Sequence, residues 1–168
     1  MRSARNSIVI LLLGLALGVL GKWADFYSPF LAALTSGIQL WVLLCCAVAL
    51  GSRTPGRAAF HVFLLLGGMV CAYYVTAVRM GGVWGRSYVI GWGITAALSV
   101  VPGYLVWFAR GRNRRAWTLS LGVLAFQVLA MFVLSGGVNF LDIVVIAATA
   151  VLLLRDKLGR RKSKRHVS

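Results

Sequence analysis

The chain has 168 residues, 60% of them hydrophobic and only 12% charged, with a mean hydropathy of +0.87. Ordinary soluble domains carry about 25% charged residues, so this composition excludes a free-standing soluble globular domain. Six spans of about 20 residues each would consume about 120 positions, which leaves no room for a soluble catalytic domain.

The formal net charge of +15 sets 18 Lys and Arg against three aspartates, Asp25, Asp142 and Asp156, with no glutamate. The basic residues lie between apolar runs and do not interleave with polar and aromatic residues, so a bilayer accounts for them and nucleic acid is not an expected partner. Cys45, Cys46 and Cys71 sit inside apolar stretches without a C-x-x-C pair or a His/Cys cluster. No disulfide framework, metal site or cofactor is expected from them.

In chain order, Arg2 and Arg5 precede the apolar run from Ile8 to Leu20, the outline of a signal peptide. No small-x-small cleavage site follows, and the run continues through Gly21-Lys22-Trp23-Ala24-Asp25, which predicts a retained transmembrane helix over 8–27. Further spans are expected at 31–50, 58–78, 87–109, 116–134 and 138–154, followed by a basic cytoplasmic tail over 155–168. Pro102 is expected to kink the fourth span and free a carbonyl near Leu98. The sixth span is the shortest and opens on Asn139 and Asp142, an entry suited to a polar cavity.

Alternate loops then assign sides. With the N-terminus cytoplasmic, 15 of the 18 basic residues fall inside, and only Lys22, Arg79 and Arg86 fall outside. The positive-inside rule therefore favours an all-α polytopic membrane protein of six transmembrane helices with both termini cytoplasmic. The tail holds seven basic residues in 14 positions, each contributing up to ~1 kcal/mol near an anionic leaflet. Its expected role is an orientation anchor.

Polar residues recur at helical spacing. Gly14, Gly18, Gly21 and Asp25 share one face of the first helix, a small-residue seam for packing within the bundle or against a partner helix. Other stripes are Thr35, Gln39 and Cys46; Gly67, Cys71 and Tyr74; Tyr88, Trp92, Thr95, Ser99 and Pro102; and Ser120 and Gln127. Each is expected to face inward, where hydroxyls and amides bond neighbouring helices.

At the outer ends, topology gathers Trp23, Asp25, Tyr74, Arg79, Trp84, Arg86, Tyr88, Trp92, Asn139 and Asp142. Two readings stand: an interfacial aromatic belt, or a ligand site with aromatic walls, Arg79 and Arg86 for anionic groups, and the aspartates for a cationic group. Asp25 and Asp142 on one side could also share a proton and activate water, although 117 positions separate them. His61 is expected at the inner end of the third helix, away from both aspartates, so no Ser/His/Asp arrangement forms.

The segments Leu20-Gly21-Lys22-Trp23-Ala24-Asp25, Arg53-Thr54-Pro55-Gly56-Arg57-Ala58-Ala59, Tyr73-Tyr74-Val75-Thr76-Ala77 and Gly85-Arg86-Ser87-Tyr88-Val89-Ile90-Gly91-Trp92 resemble a family of small bacterial membrane proteins of unknown function. That resemblance spans most of the chain and implies a bacterial cytoplasmic membrane. In architecture the chain is also similar to the S-components of energy-coupling-factor vitamin transporters, with Gly14-x-x-x-Gly18 standing where those proteins often have Ala-x-x-x-Ala. The functional expectation is a small-molecule binder near the outer face, a transporter component or sensor. The alternatives are a non-catalytic assembly subunit docking a membrane partner or a second copy through Gly14, Gly18 and Gly21, and an intramembrane aspartyl hydrolase using Asp25 and Asp142.

Overall fold

In a computed structural model the described residues are 2–28, 31–32, 37–82, 85–134 and 140–158. They form α1 (Arg2–Tyr27), α2 (Ile38–Gly51), α3 (Pro55–Arg79), α4 (Arg86–Leu98), α5 (Val100–Trp107), a 3-10 turn (Phe108–Arg110), α6 (Arg114–Leu134) and α7 (Phe140–Leu158), with no strand among them. Because α4, α5 and the 3-10 turn run on as one segment, the chain presents six helical segments, as the hydropathy pattern predicts. Segments Ala4–Tyr27, Pro55–Arg79, Arg86–Arg110 and Arg114–Val133 are long and apolar enough to cross a membrane, which suggests a membrane protein. Large apolar side chains such as Ile8, Leu12, Val75 and Val133 lie exposed on their outer faces.

Local chemistry sets the boundaries. Gly37 has an extended backbone (φ −65°, ψ 121°) and starts α2 at Ile38, later than expected. At 14 residues α2 is about 21 Å long, shorter than a ~30 Å hydrocarbon core. Thr54 caps α3 by accepting from the Arg57 amide at 3.3 Å, with Pro55 in the first turn. Gly81 ends the turn after α3 with φ +66°, a left-handed conformation that favours glycine. The expected break in the fourth span falls at Ser99, three residues before Pro102, which lacks the N–H that would bond the Leu98 carbonyl. The last helix runs to Leu158, four residues beyond its expected end.

The bundle is organised around α3, which packs on α1, α2, α4 and α5, while α2 also meets α5, α6 and α7. A core of Cys46, Ala49, Ala58, Val62 and Val106 joins α2, α3 and α5, and Val123 and Leu152 pack against it. The α1–α3 pair is the most extensive. A Cβ at Gly14 would lie 2.3 Å from the Leu65 carbonyl oxygen, and one at Gly18 would lie 2.3 Å from that of Met69. Only glycine admits so close an approach.

Two expected inward stripes are inward only in part, Ser99 being buried while most of their other members are exposed or half-buried. Cys71 is exposed, and α3 buries Ala58, Val62, Leu65 and Ala72. On α4 and α5, Tyr88, Trp92, Thr95 and Pro102 are exposed, whereas Ala96, Ser99, Gly103 and Val106 are buried. Small side chains let these backbones approach α3, as at Gly103, whose added Cβ would meet Val62 at 3.0 Å. The bulky amphipathic rings are left for the periphery.

Candidate functional site

Three polar centres emerge. The first lies where α1 ends: Tyr73 donates a hydrogen bond to Asp25 Oδ2, and Lys22 Nζ stands 3.9 Å from the same oxygen. Lys22 is buried and lies over the rings of Tyr73 (4.9 Å) and Phe26 (5.2 Å). Cation–π attraction and the carboxylate together replace the water Lys22 has lost. The α1 seam directs this arrangement, because Gly14 and Gly18 bring α1 onto α3 and so set Asp25 beside Tyr73. Asp25 has its partners within the chain.

Most of the rest of the predicted outer cluster lies on the exposed surface. Trp23 stacks on Tyr27 at 4.6 Å and is exposed, Tyr74 is half-buried edge-on to Tyr73, and Arg79, Arg86, Tyr88 and Trp92 are exposed. Trp84 and Asn139 lie outside the described residues, as do Thr35 and positions 159–168 of the basic tail. Asp142 is buried on α7, which packs against α2 and α6, while α1 packs on α3. Since α1 and α7 are not packing neighbours, the structure does not bring Asp25 and Asp142 into one catalytic pair. The seam glycines likewise face the chain's own α3, with Gly21 3.9 Å from Tyr73 measured from an added Cβ. Gly14 and Gly18 are therefore covered from within, and a partner helix has no access to them.

The second centre lies between α2, α6 and α7. Gln127 donates from Nε2 to the Gln39 backbone carbonyl at 3.2 Å, joining α6 to α2. Gln39 is 1% exposed, Gln127 0% and Asp142 8%. Yet Gln39 Nε2 and Oε1, Gln127 Oε1 and Asp142 Oδ2 are buried without a hydrogen-bond partner. Packing sets their depth. Leu152 packs on the core that contains Ala49, and ten residues separate both Ala49 from Gln39 and Leu152 from Asp142. At 1.5 Å per residue both side chains stand about 15 Å above that layer. Buried side chains follow the same 3-4 spacing on each helix, with Gln39, Cys46 and Ala49 on α2 and Asp142, Val145, Thr149 and Leu153 on α7. Three mutually packed helices thus bury three unpaired oxygens and one unpaired amide NH2, with Gln39 and Asp142 at about the same height on α2 and α7.

The third centre ties the arginine-rich end together. Ser52 Oγ donates to the Val48 carbonyl at 2.8 Å, so it accepts from His61 Nδ1–H at 2.9 Å. His61 Nε2 and the Ser7 hydroxyl share a hydrogen bond at 3.1 Å. The Ser52 carbonyl accepts from Trp107 Nε1 at 3.0 Å and from an Arg110 guanidinium N–H at 2.9 Å. Ser52 therefore links α2, α3, α5 and the 3-10 turn, and His61 carries the chain of bonds on to α1. Nearby, buried Lys157 donates to the Ala116 carbonyl at 2.9 Å and to Ser120 Oγ, over the Trp117 ring at 5.3 Å, clasping α7 to α6. Lys157, expected in a free tail, is a packing residue.

No family model, curated protein or solved structure matches the chain. Its own residues and geometry carry the functional reading. Spacing alone identifies Gln39 and Gln127 as inward-facing, and the sequence signal that could have promoted them is the rarity of amides with no charged neighbour inside apolar runs. Among the described residues no group of three or more His, Cys, Asp and Glu stands in position to hold a metal ion.

Proposed function

We propose that the chain is a multi-pass protein of the bacterial cytoplasmic membrane, with both termini cytoplasmic, that binds a small ligand in its outer half as a transporter component or sensor. The observation that supports this reading is the unpaired set on Gln39, Gln127 and Asp142. A buried polar group left without a hydrogen bond costs ~1–3 kcal/mol, and a carboxylate inside a bundle costs more. Four such atoms are an expensive feature unless a ligand completes them. Three oxygens beside one amide NH2 suit a ligand with a protonated amine or other cationic group and a neighbouring acceptor. The exposed arginines and aromatic rings of the outer layer then serve as an interfacial belt.

Native mass spectrometry of the protein purified gently from its own membrane tests this. A discrete small molecule retained by the wild type and lost by Asp142→Asn and Gln39→Leu is the expected result. A ligand-free wild-type chain holding a stoichiometric protein partner would overturn it in favour of an assembly subunit.

A further inference from the structure

At the arginine-rich end, opposite the ligand layer, α1, α2 and α3 enclose a cavity of about 200 Å³. Its polar wall is Asn6 of α1, Ser52 and Arg53 of the α2–α3 loop, and Arg57 and His61 of α3, with Ile10 on its apolar side. We propose that this cavity is an anion site for a phosphate group, borne either by a phospholipid headgroup or by a soluble phosphate.

Charge is the first ground. Arg53 and Arg57 both line this one small cavity, and the Lys22–Asp25 ion pair lies at the other end of the bundle. Asp142 also lies at that other end, so no described carboxylate neutralises Arg53 or Arg57. Their planar forks match the oxygens of a phosphate bidentately.

Rigidity is the second. His61 spends both ring nitrogens on Ser52 and Ser7, and Ser52 spends its proton on Val48. The back wall is fixed by these bonds across three helices, which leaves His61 no ring nitrogen free for a metal. Size is the third: 200 Å³ equals roughly six or seven waters at liquid density, enough for a phosphate group and part of its hydration. Ile10 on one side and water on the other make the cavity amphipathic, as a headgroup at a membrane surface requires.

The test titrates the detergent-solubilised full chain with dioctanoyl phosphatidylglycerol, the phosphate-free dioctanoylglycerol or inorganic phosphate, following Tm. A saturable rise in Tm is expected with the phosphatidylglycerol or with inorganic phosphate, its midpoint weakened at least tenfold in Arg53→Gln/Arg57→Gln. A response to the lipid alone assigns a headgroup with its chains, and a response to inorganic phosphate of equal size assigns a soluble phosphate. Arg112→Gln/Arg115→Gln removes the same charge at exposed positions of the same end and should leave the midpoint unchanged. Asn6→Trp fills the cavity without altering charge and should abolish the response, so the proposal stays testable should the double arginine variant fail to fold. No saturable response, an equal response to dioctanoylglycerol, or equal weakening by the Arg112/Arg115 pair would overturn it.

Discussion

Two interfaces within this one bundle are built on opposite principles. Between α1 and α3, glycines at positions 14 and 18 bring backbones together so closely that a single methyl group would strike a carbonyl. The polar cluster at the outer end of that pair, Lys22, Asp25 and Tyr73, is internally paired. Between α2, α6 and α7, large amide side chains and a carboxylate are buried with four atoms unpaired. Close packing with satisfied polar groups stabilises, whereas unpaired buried groups cost stability. The contrast assigns the first interface to holding the molecule together and the second to work that needs vacant hydrogen-bonding capacity.

The largest expected effect falls on the packing interface. Gly14→Leu or Gly18→Leu must force α1 off α3, and since overpacking alone costs ~1–3 kcal/mol, a loss of at least ~3 kcal/mol is expected in denaturant unfolding from micelles. An unchanged midpoint would break the comparison from its stable side. Asp142→Asn should weaken ligand retention at least tenfold, equivalent to ~1.4 kcal/mol, with the ligand-free protein no less stable than wild type.

Gln39→Leu sharpens the contrast because it removes two unpaired atoms and keeps the backbone carbonyl that Gln127 uses. The ligand-free variant should gain ~1–3 kcal/mol of stability while losing the ligand, read by Tm and native mass spectrometry on the same sample. A loss of stability instead would mean the Gln39 amide already has its partners. The smallest effect is expected from Tyr73→Phe, which deletes a hydrogen bond to the exposed Asp25 carboxylate and a long one from Lys22. About 1 kcal/mol of stability should go, and ligand retention should not change.

How far the sequence could be read follows from what each feature depends on. Helix number and approximate limits were legible because hydrophobic run length is a one-dimensional property, and the Ser99 break because Pro102 removes a specific donor. Facing directions were legible where the polar residue is an amide, as with Gln39 and Gln127, because an apolar surround leaves it only the interior. They were misread on α4, where Tyr88 and Trp92 are amphipathic and suit the periphery, while Ala96 and Gly103 offer the close contact. The pairing of Gln127 with Gln39 across 88 positions, and the assembly of Ser7, Ser52 and His61, depend on three-dimensional register that spacing along one helix does not contain. The outer cluster was over-read because shared depth was taken as proximity, and Asp25 and Asp142 belong to different packing groups.

The most direct test of the central claim is a high-resolution density map of the protein in a lipid nanodisc, read at the layer between α2, α6 and α7. The account predicts a non-protein feature within hydrogen-bonding distance of Asp142 Oδ2 and at least one of the Gln39 and Gln127 amides, lost in Asp142→Asn. A layer in which those side chains bond one another, with no feature between them, would contradict it.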